Sequence, residues 1–266
     1  MSETYRSDPL WPELRSLALV AARAGGQAAL RHFRRPGLVV ENKQDDSPVT
    51  VADREAEAAI HGLIQAARPD DAWLGEESGA AGGRSPYRWI VDPIDGTRNF
   101  VRGIPLWAVL VACEQVGQGV VAAAVGIPGL DEWYDAVLGG GARLAGQPIQ
   151  VSRLAELDQA LFCYESPAWF SQNGLDGCFR ELCAATGLVR GLGDAYGHML
   201  VASGRAELVV EPQLKVWDVA ATSLVVSEAG GRFSDLDGTP SIRSDHAVVS
   251  NGLLHEAALA IIRRHR

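Results

Sequence analysis

Trp89-Ile90-Val91-Asp92-Pro93-Ile94-Asp95-Gly96-Thr97 sets a short apolar run against two carboxylates three residues apart. Trp89 to Val91 reads as a buried strand. Pro93 has no N–H to give a ladder, so a turn is expected there, with Asp92 and Asp95 held at the strand end. Two carboxylates pressed together repel unless a cation lies between them. Oxygen ligands with a free carbonyl close by suit Mg²⁺, with Mn²⁺ as the alternative. Gly96 and Thr97 follow, where backbone N–H groups at a helix start can hold an anion. A metal pair beside an anion cradle is equipment for hydrolysing a phosphate ester.

Upstream, residues 51–68 place Ala52, Ala56, Ala59, Ile60, Leu63 and Ile64 on one helical face. Thr50-x-x-Asp53 in front of them resembles a capping box. Residues 11–34 form a second apolar helix, ended by Pro36-Gly37. Ala72-Trp73-Leu74 is a short strand that leads into Gly75-Glu76-Glu77. Downstream, strands are expected near 107–114 and 120–127, with a hairpin over 137–144. From about Pro148 strands and helices alternate: strands at 160–164, 206–210 and 247–250, helices at 176–186, 194–203, 219–229 and 254–264. The pattern predicts an α+β lobe over 1–147, an α/β lobe over 148–266, and one compact unit. The first lobe carries most of the acidic elements and the second carries Asp218, which opens a helix after Lys215-Val216-Trp217. A lone Asp at a helix start is ordinarily a cap, and adjacent glutamates in a Gly-bounded loop are ordinarily solvated. The tandem Asp-Pro-Ile-Asp-Gly-Thr is different, because a turn needs at most one Asp.

Bulk properties fit an ordinary globular chain. It has 266 residues, 47% of them hydrophobic and 21% charged. A net charge of −9 argues against a nucleic-acid backbone as the main partner. Lysine supplies only 2 of the 24 basic residues, which reflects composition more than function. The four cysteines lack C-x-x-C spacing and read as reduced thiols. No apolar signal core or membrane span is visible, so the expected location is the cytoplasm. His32, His61, His198, His246, His255 and His265 are scattered without ligand spacing and read as surface or satisfied core positions. No triad or nucleophile elbow is present.

Taken in order, Glu76-Glu77, Asp92-Pro93-Ile94-Asp95-Gly96-Thr97 and Trp217-Asp218 resemble the signatures of the inositol monophosphatase superfamily. Lys43 and Ser47-Pro48-Val49-Thr50-Val51-Ala52-Asp53 fit the same pattern. The resemblance covers nearly the whole chain. It implies an α/β (α+β) fold, the layered α-β-α-β-α sandwich, and Mg²⁺-dependent hydrolysis of a phosphate monoester. By the same resemblance, Glu76, Asp92 and the Ile94 carbonyl hold one metal. Asp92, Asp95 and Asp218 hold a second, with Asp92 bridging. Glu76 and Glu77 serve a third metal or its waters, giving two to three Mg²⁺ per site. Thr97, hydrogen-bonded to Asp53, orients and helps deprotonate the attacking water, with Glu77 in the same catalytic set. Backbone N–H groups of Gly96 and Thr97 hold phosphate oxygens, and Asp95 and Asp218 also reach the substrate. A homodimer and inhibition by lithium are implied as well.

Arg102-Gly103-Ile104-Pro105-Leu106-Trp107 looks like the corresponding segment of bacterial histidinol-phosphate phosphatases in that superfamily. Gly193-Asp194-Ala195-Tyr196, Glu211-Pro212 and Val216 to Ala221 are similar to that subfamily too. Histidinol phosphate carries an ammonium and an imidazole, and Asp194 and Glu211 would meet them with negative charge. Inositol offers hydroxyls, which Glu211 could also accept, so Asp194 is the discriminator. Asp194 also suits a helix N-cap. The expectation is a histidinol-phosphate phosphatase of histidine biosynthesis. The alternative is an inositol-1-monophosphatase or a broad sugar-phosphate phosphatase. A non-enzymatic binding protein on this fold is disfavoured, since the acidic set is intact.

Overall fold

The computed structural model describes residues 8–42 and 48–266. Lys43 and Ser47 lie outside them. The first half runs α1 (Trp11–Leu30), β1 (Val40–Asn42), β2 (Pro48–Thr50), α2 (Val51–Ala67), β3 (Ala72–Gly75), β4 (Gly79–Ala81), β5 (Tyr87–Asp95), α3 (Thr97–Val101), β6 (Ala108–Gln115), β7 (Gly119–Ile127), β8 (Glu132–Val137), β9 (Gly141–Leu144) and β10 (Gln147–Pro148). The second half adds β11 (Leu161–Cys163), α4 (Pro167–Gln172), α5 (Asp176–Ala185), β12 (Leu188–Arg190), α6 (Asp194–Ala202), β13 (Leu208–Glu211), α7 (Val216–Glu228), β14 (Arg232–Ser234), β15 (Ala247–Ser250) and α8 (His255–Arg263).

A large sheet has the order β10-β9-β8-β7-β6-β5-β3-β4 and is antiparallel except where β3 lies beside β5. A smaller sheet has the order β12-β11-β13-β15-β14, with β11 parallel to both its neighbours. Strand alternation assigns the faces of the large sheet. Trp89, Val91, Val109, Val111, Ala122 and Ala124 point to the α1/α2 side. Their neighbours Ile90, Leu110, Ala112, Ala123 and Val125 point the other way, into a core shared with α6 and α7. On the small sheet, Val209 and Val249 face that same shared core, while Leu208, Val210 and Val248 face α5 and α8. The stacking is therefore helix pair, sheet, helix pair, sheet, helix pair, which is the layered sandwich the motifs implied.

Local capping sets the element starts. Thr50 Oγ1 accepts the Ala52 N–H, and Asp53 Oδ2 accepts the Thr50 N–H at 2.8 Å, so the capping box before α2 forms in full. Three readings change. The strand read at 89–91 continues through Pro93 to Asp95, because a register shift between Asp92 and Asp95 places Pro93 in an irregularity of the β5–β6 ladder, where no N–H is needed. α7 starts at Val216, so Asp218 sits inside its first turn rather than before it. α1 ends at Leu30, and residues 31–34 continue as turns that finish with Arg34 at φ +58°. No described helix is long and apolar enough to cross a membrane.

Candidate active site

The end of β5 meets the first turn of α7. Asp92, Asp95 and Asp218 each offer a carboxylate oxygen there, and these lie within 4.8 Å of one another. Among the described residues, this is the one cluster of acidic, His or Cys side chains with that closeness. The Ile94 N–H donates to Asp92 Oδ1 at 3.0 Å, which bends the chain so that the carboxylates on either side of Ile94 converge. Burial pushes Asp92 well above the usual carboxylate range, and the charges of Glu76, Asp95 and Asp218 push further. Burial likewise raises Asp95, helped by Asp194 and Asp218 and opposed by the Ala195 N–H. Burial lifts Asp218 to about 7, against the Lys215 N–H that caps it. Three crowded carboxylates with oxygen-only chemistry are poor anions on their own. A hard divalent cation resolves the conflict, so the donor set fits Mg²⁺.

Asp53 presents Oδ1 to the same region. The Thr97 hydroxyl lies 3.4 Å from it and 2.9 Å from the Ile94 carbonyl. One proton serves one acceptor well, and the shorter bond runs to Ile94. If the Ile94 carbonyl is taken by a cation, that proton turns to Asp53. Asp53 itself is pushed upward, by burial first and by Glu76.

Glu57 was not anticipated. It lies one helical turn beyond Asp53 on the same face of α2 and is buried. Its carboxylate accepts the N–H groups of Glu77 and Ser78 at 2.9 and 2.8 Å and so fixes the acidic loop after β3. The i, i+4 spacing was the available signal.

The other end of the site is assembled by the small sheet and α6. Glu211, at the end of β13, accepts the Asp194 N–H at 2.9 Å. Asp194 is not the N-cap; Gly193 is, and Asp194 makes no cap bond of its own. Asp194 stands at φ +55°, and its Oδ2 comes within 3.4 Å of Asn99 Nδ2. It also approaches Gly96, where an added Cβ would meet it at 3.2 Å. Glu165, on the loop after β11, is the second unanticipated residue. A Cβ on Gly193 would fall 2.3 Å from the Glu165 backbone, so glycine there lets the two segments touch. Burial raises Asp194 well above its usual range, and the Glu165 and Glu211 charges add to it. Burial and then Glu211 raise Glu165 in turn, while Arg98 opposes in both cases. No local motif marks Glu165, because its place depends on the α6 and β11 segments meeting. Trp107, from the Arg102–Trp107 stretch, is buried edge-on against Phe100, so that stretch anchors the loop after α3.

The geometry thus brings Asp53, Asp92, Ile94, Asp95, Gly96, Thr97, Asp194, Glu211 and Asp218 into one region. Glu76 acts on it through its charge on Asp92 and Asp218, and Glu77 joins through the loop that Glu57 holds. A family model for the inositol monophosphatase family matches residues 11–266. The chain belongs to this family. It is 41% identical over 255 residues to a histidinol-phosphatase of Streptomyces coelicolor, covering 92% of this chain and 95% of that one. It is 36% identical over 260 residues to an inositol-1-monophosphatase of Mesorhizobium japonicum, covering 94% and 96%. Among solved structures of the inositol monophosphatase fold it resembles the extragenic suppressor protein suhB of Bartonella henselae, with a TM-score of 0.90, 30% identity, and coverage of 96% and 100%.

Proposed function

We propose that this member of the family hydrolyses L-histidinol phosphate to L-histidinol and phosphate. Membership makes the chain a phosphoric monoester hydrolase. The observation that carries the choice of ester is the acidic end of the cleft. Glu165, Asp194 and Glu211 sit together beyond the Asp92–Asp95–Asp218 cluster, with Arg98 as the nearby counter-charge of Glu165 and Asp194. A neutral polyol has no use for three crowded carboxylates, whereas an ammonium and an imidazole relieve them. The histidinol-phosphatase relatives support the same reading.

Asp92, Asp95, Asp218, Glu76 and the Ile94 carbonyl would hold two or three Mg²⁺ ions. Bound there, the metal supplies charge neutralisation at the phosphate and lowers the pKa of its water by several units. The Thr97 hydroxyl, with Asp53 behind it, accepts and passes on the proton of the attacking water, and Glu77 lies beside it in the same set. Backbone N–H groups of Gly96 and Thr97 hold phosphate oxygens. Glu211 and Asp194 bind the cationic arm of the alcohol. Most of the barrier reduction is electrostatic and positional, since a monoester is otherwise extremely inert.

The second reading, an inositol-1-monophosphatase, is favoured by the Mesorhizobium relative and by Glu211, which can accept from a hydroxyl. Phosphate release from the two substrates with Mg²⁺, compared by kcat/KM, decides. A preference of about 100-fold for histidinol phosphate, about 2.7 kcal/mol of differential transition-state binding, is expected. Equal rates, or a preference for myo-inositol 1-phosphate, would overturn the proposal.

A further inference from the structure

The buried imidazole of His198 has no part in the chemistry above, yet it touches the site. It sits on the inner face of α6, one turn after Asp194, and is 1% exposed. Its Nδ1 lies 2.9 Å from Thr222 Oγ1 on α7, and its Nε2 lies 2.9 Å from Glu211 Oε2. Glu211 is itself 2% exposed, and its other oxygen accepts the Asp194 N–H. The His198–Glu211 contact is close but not aligned as a regular hydrogen bond, and neither atom has a hydrogen-bond partner among the described residues.

Proton counting limits what this arrangement can be. A lone pair on Nε2 facing a carboxylate oxygen at 2.9 Å, with water excluded, is strongly unfavourable. The Thr222 hydroxyl has two acceptors in reach, His198 Nδ1 and the Val219 carbonyl at 3.3 Å. If it donates to Nδ1, the imidazole is neutral and carries its proton on Nε2. If it donates to Val219, Nδ1 carries a proton, and a carboxylate at Glu211 still requires one on Nε2. Both arrangements that keep Glu211 ionised place an N–H at Nε2.

We propose that His198 is a positioning residue for substrate selection. It donates Nε2–H to Glu211, with Thr222 bracing the far side of the ring. Glu211 is thereby held between two donors, the His198 ring and the Asp194 backbone. Its remaining lone pairs are directed at the substrate, and Asp194 is kept in its left-handed conformation. The cationic-arm end of the cleft is in this way tied to α7, the helix that carries Asp218. The inference rests on the reading of Glu211 as a substrate contact.

The test pairs His198→Leu with His198→Gln, whose amide can replace the Nε2 donor. Losing a hydrogen bond to a charged group is worth about 10- to 100-fold. His198→Leu is therefore expected to raise KM for histidinol phosphate by at least about 10-fold, with a smaller fall in kcat. Hydrolysis of p-nitrophenyl phosphate, which has no cationic arm, changes less. His198→Gln restores most of the KM. Equal losses on both substrates, or no rescue by Gln, would show a merely structural role and defeat the proposal. A second readout does not depend on variants folding. Long-range ¹H–¹⁵N spectra of the unsubstituted protein should show His198 protonated at Nε2, and a ring protonated only at Nδ1 overturns the proposal outright. If the unsubstituted enzyme prefers inositol phosphate, the substrate reading fails separately; the spectra then judge His198 alone.

Discussion

The Ala195 N–H donates to Asp95 Oδ2 at 2.8 Å, joining segments that lie 100 residues apart. One end of this bond is the strand that carries the paired aspartates, and the other is the first turn of α6, next to Asp194. The Asp92–Asp95–Asp218 cluster and the Glu165–Asp194–Glu211 end of the site therefore share one hydrogen bond, and Asp95 is positioned by the first turn of α6.

Asp92 lies at the centre of the crowded carboxylates. Asp92→Asn should reduce kcat/KM by more than about 100-fold and leave the circular dichroism spectrum unchanged. The amide removes one repelling charge, so the metal-free variant should melt no lower than the metal-free parent at pH 7. Retained turnover would refute the bridging role.

Metal-free stability should depend on pH in a defined direction. The Asp218 carboxyl is pushed up to about 7, against 3.8 for an ordinary Asp. The unfolded chain sheds this proton first, so the contribution of Asp218 falls as pH rises from about 4 to about 7, and the raised Asp92 and Asp95 carboxyls act in the same direction. A bound cation removes that slope. The gain in Tm on adding Mg²⁺, relative to EDTA, should grow over the same interval. His255, pushed down to about 4 by burial, gives the opposite slope between about 6.5 and 4. It lies outside the site, so subtracting the two curves cancels it. A gain independent of pH would contradict the metal assignment.

Thr97 and Asp53 are assigned to the proton of the attacking water. Thr97→Val should lower kcat by about 100-fold and change KM little, the lower end of the usual range for a general acid–base group. Asp53→Asn should do the same with some loss of stability, because Asp53 also completes the capping box of α2. A change confined to KM would argue against both.

Asp194→Ala and Glu165→Gln should each weaken histidinol-phosphate turnover by about 10-fold in kcat/KM while leaving inositol 1-phosphate within a factor of about three. Steady-state kinetics on the two substrates reads this directly. Parallel losses on both would mean that these carboxylates shape the cleft without selecting the alcohol.

The parts of the site that were legible in the sequence are those built by local chain geometry. Asp92 to Thr97 are neighbours along the chain, and Asp53 and Asp218 are marked by capping patterns at helix starts. Helices and inner strands followed from apolar periodicity, since burial imposes it. What stayed hidden depends on contacts between distant segments. Glu165 reaches Asp194 only because Gly193 lets two backbones touch. Glu57 is one more acidic position on a helix until the β3 loop folds onto it. His198 reads from the sequence as one of six surface or satisfied core histidines; it proves buried, and its neighbour Glu211 lies on another element. Pro93 misled by one step, because a bulge accepts a residue that a regular ladder rejects.

Asp194 at φ +55° sits where glycine would be more comfortable. Directed evolution for heat tolerance would be expected to find Asp194→Gly early, as a simple release of backbone strain. The improved protein would keep its Asp92–Asp95–Asp218 cluster and its ability to cleave phosphate esters. On the proposed role of Asp194 it would have traded away discrimination, so thermostable progeny of this enzyme should be screened on competing substrates and not on phosphate release alone.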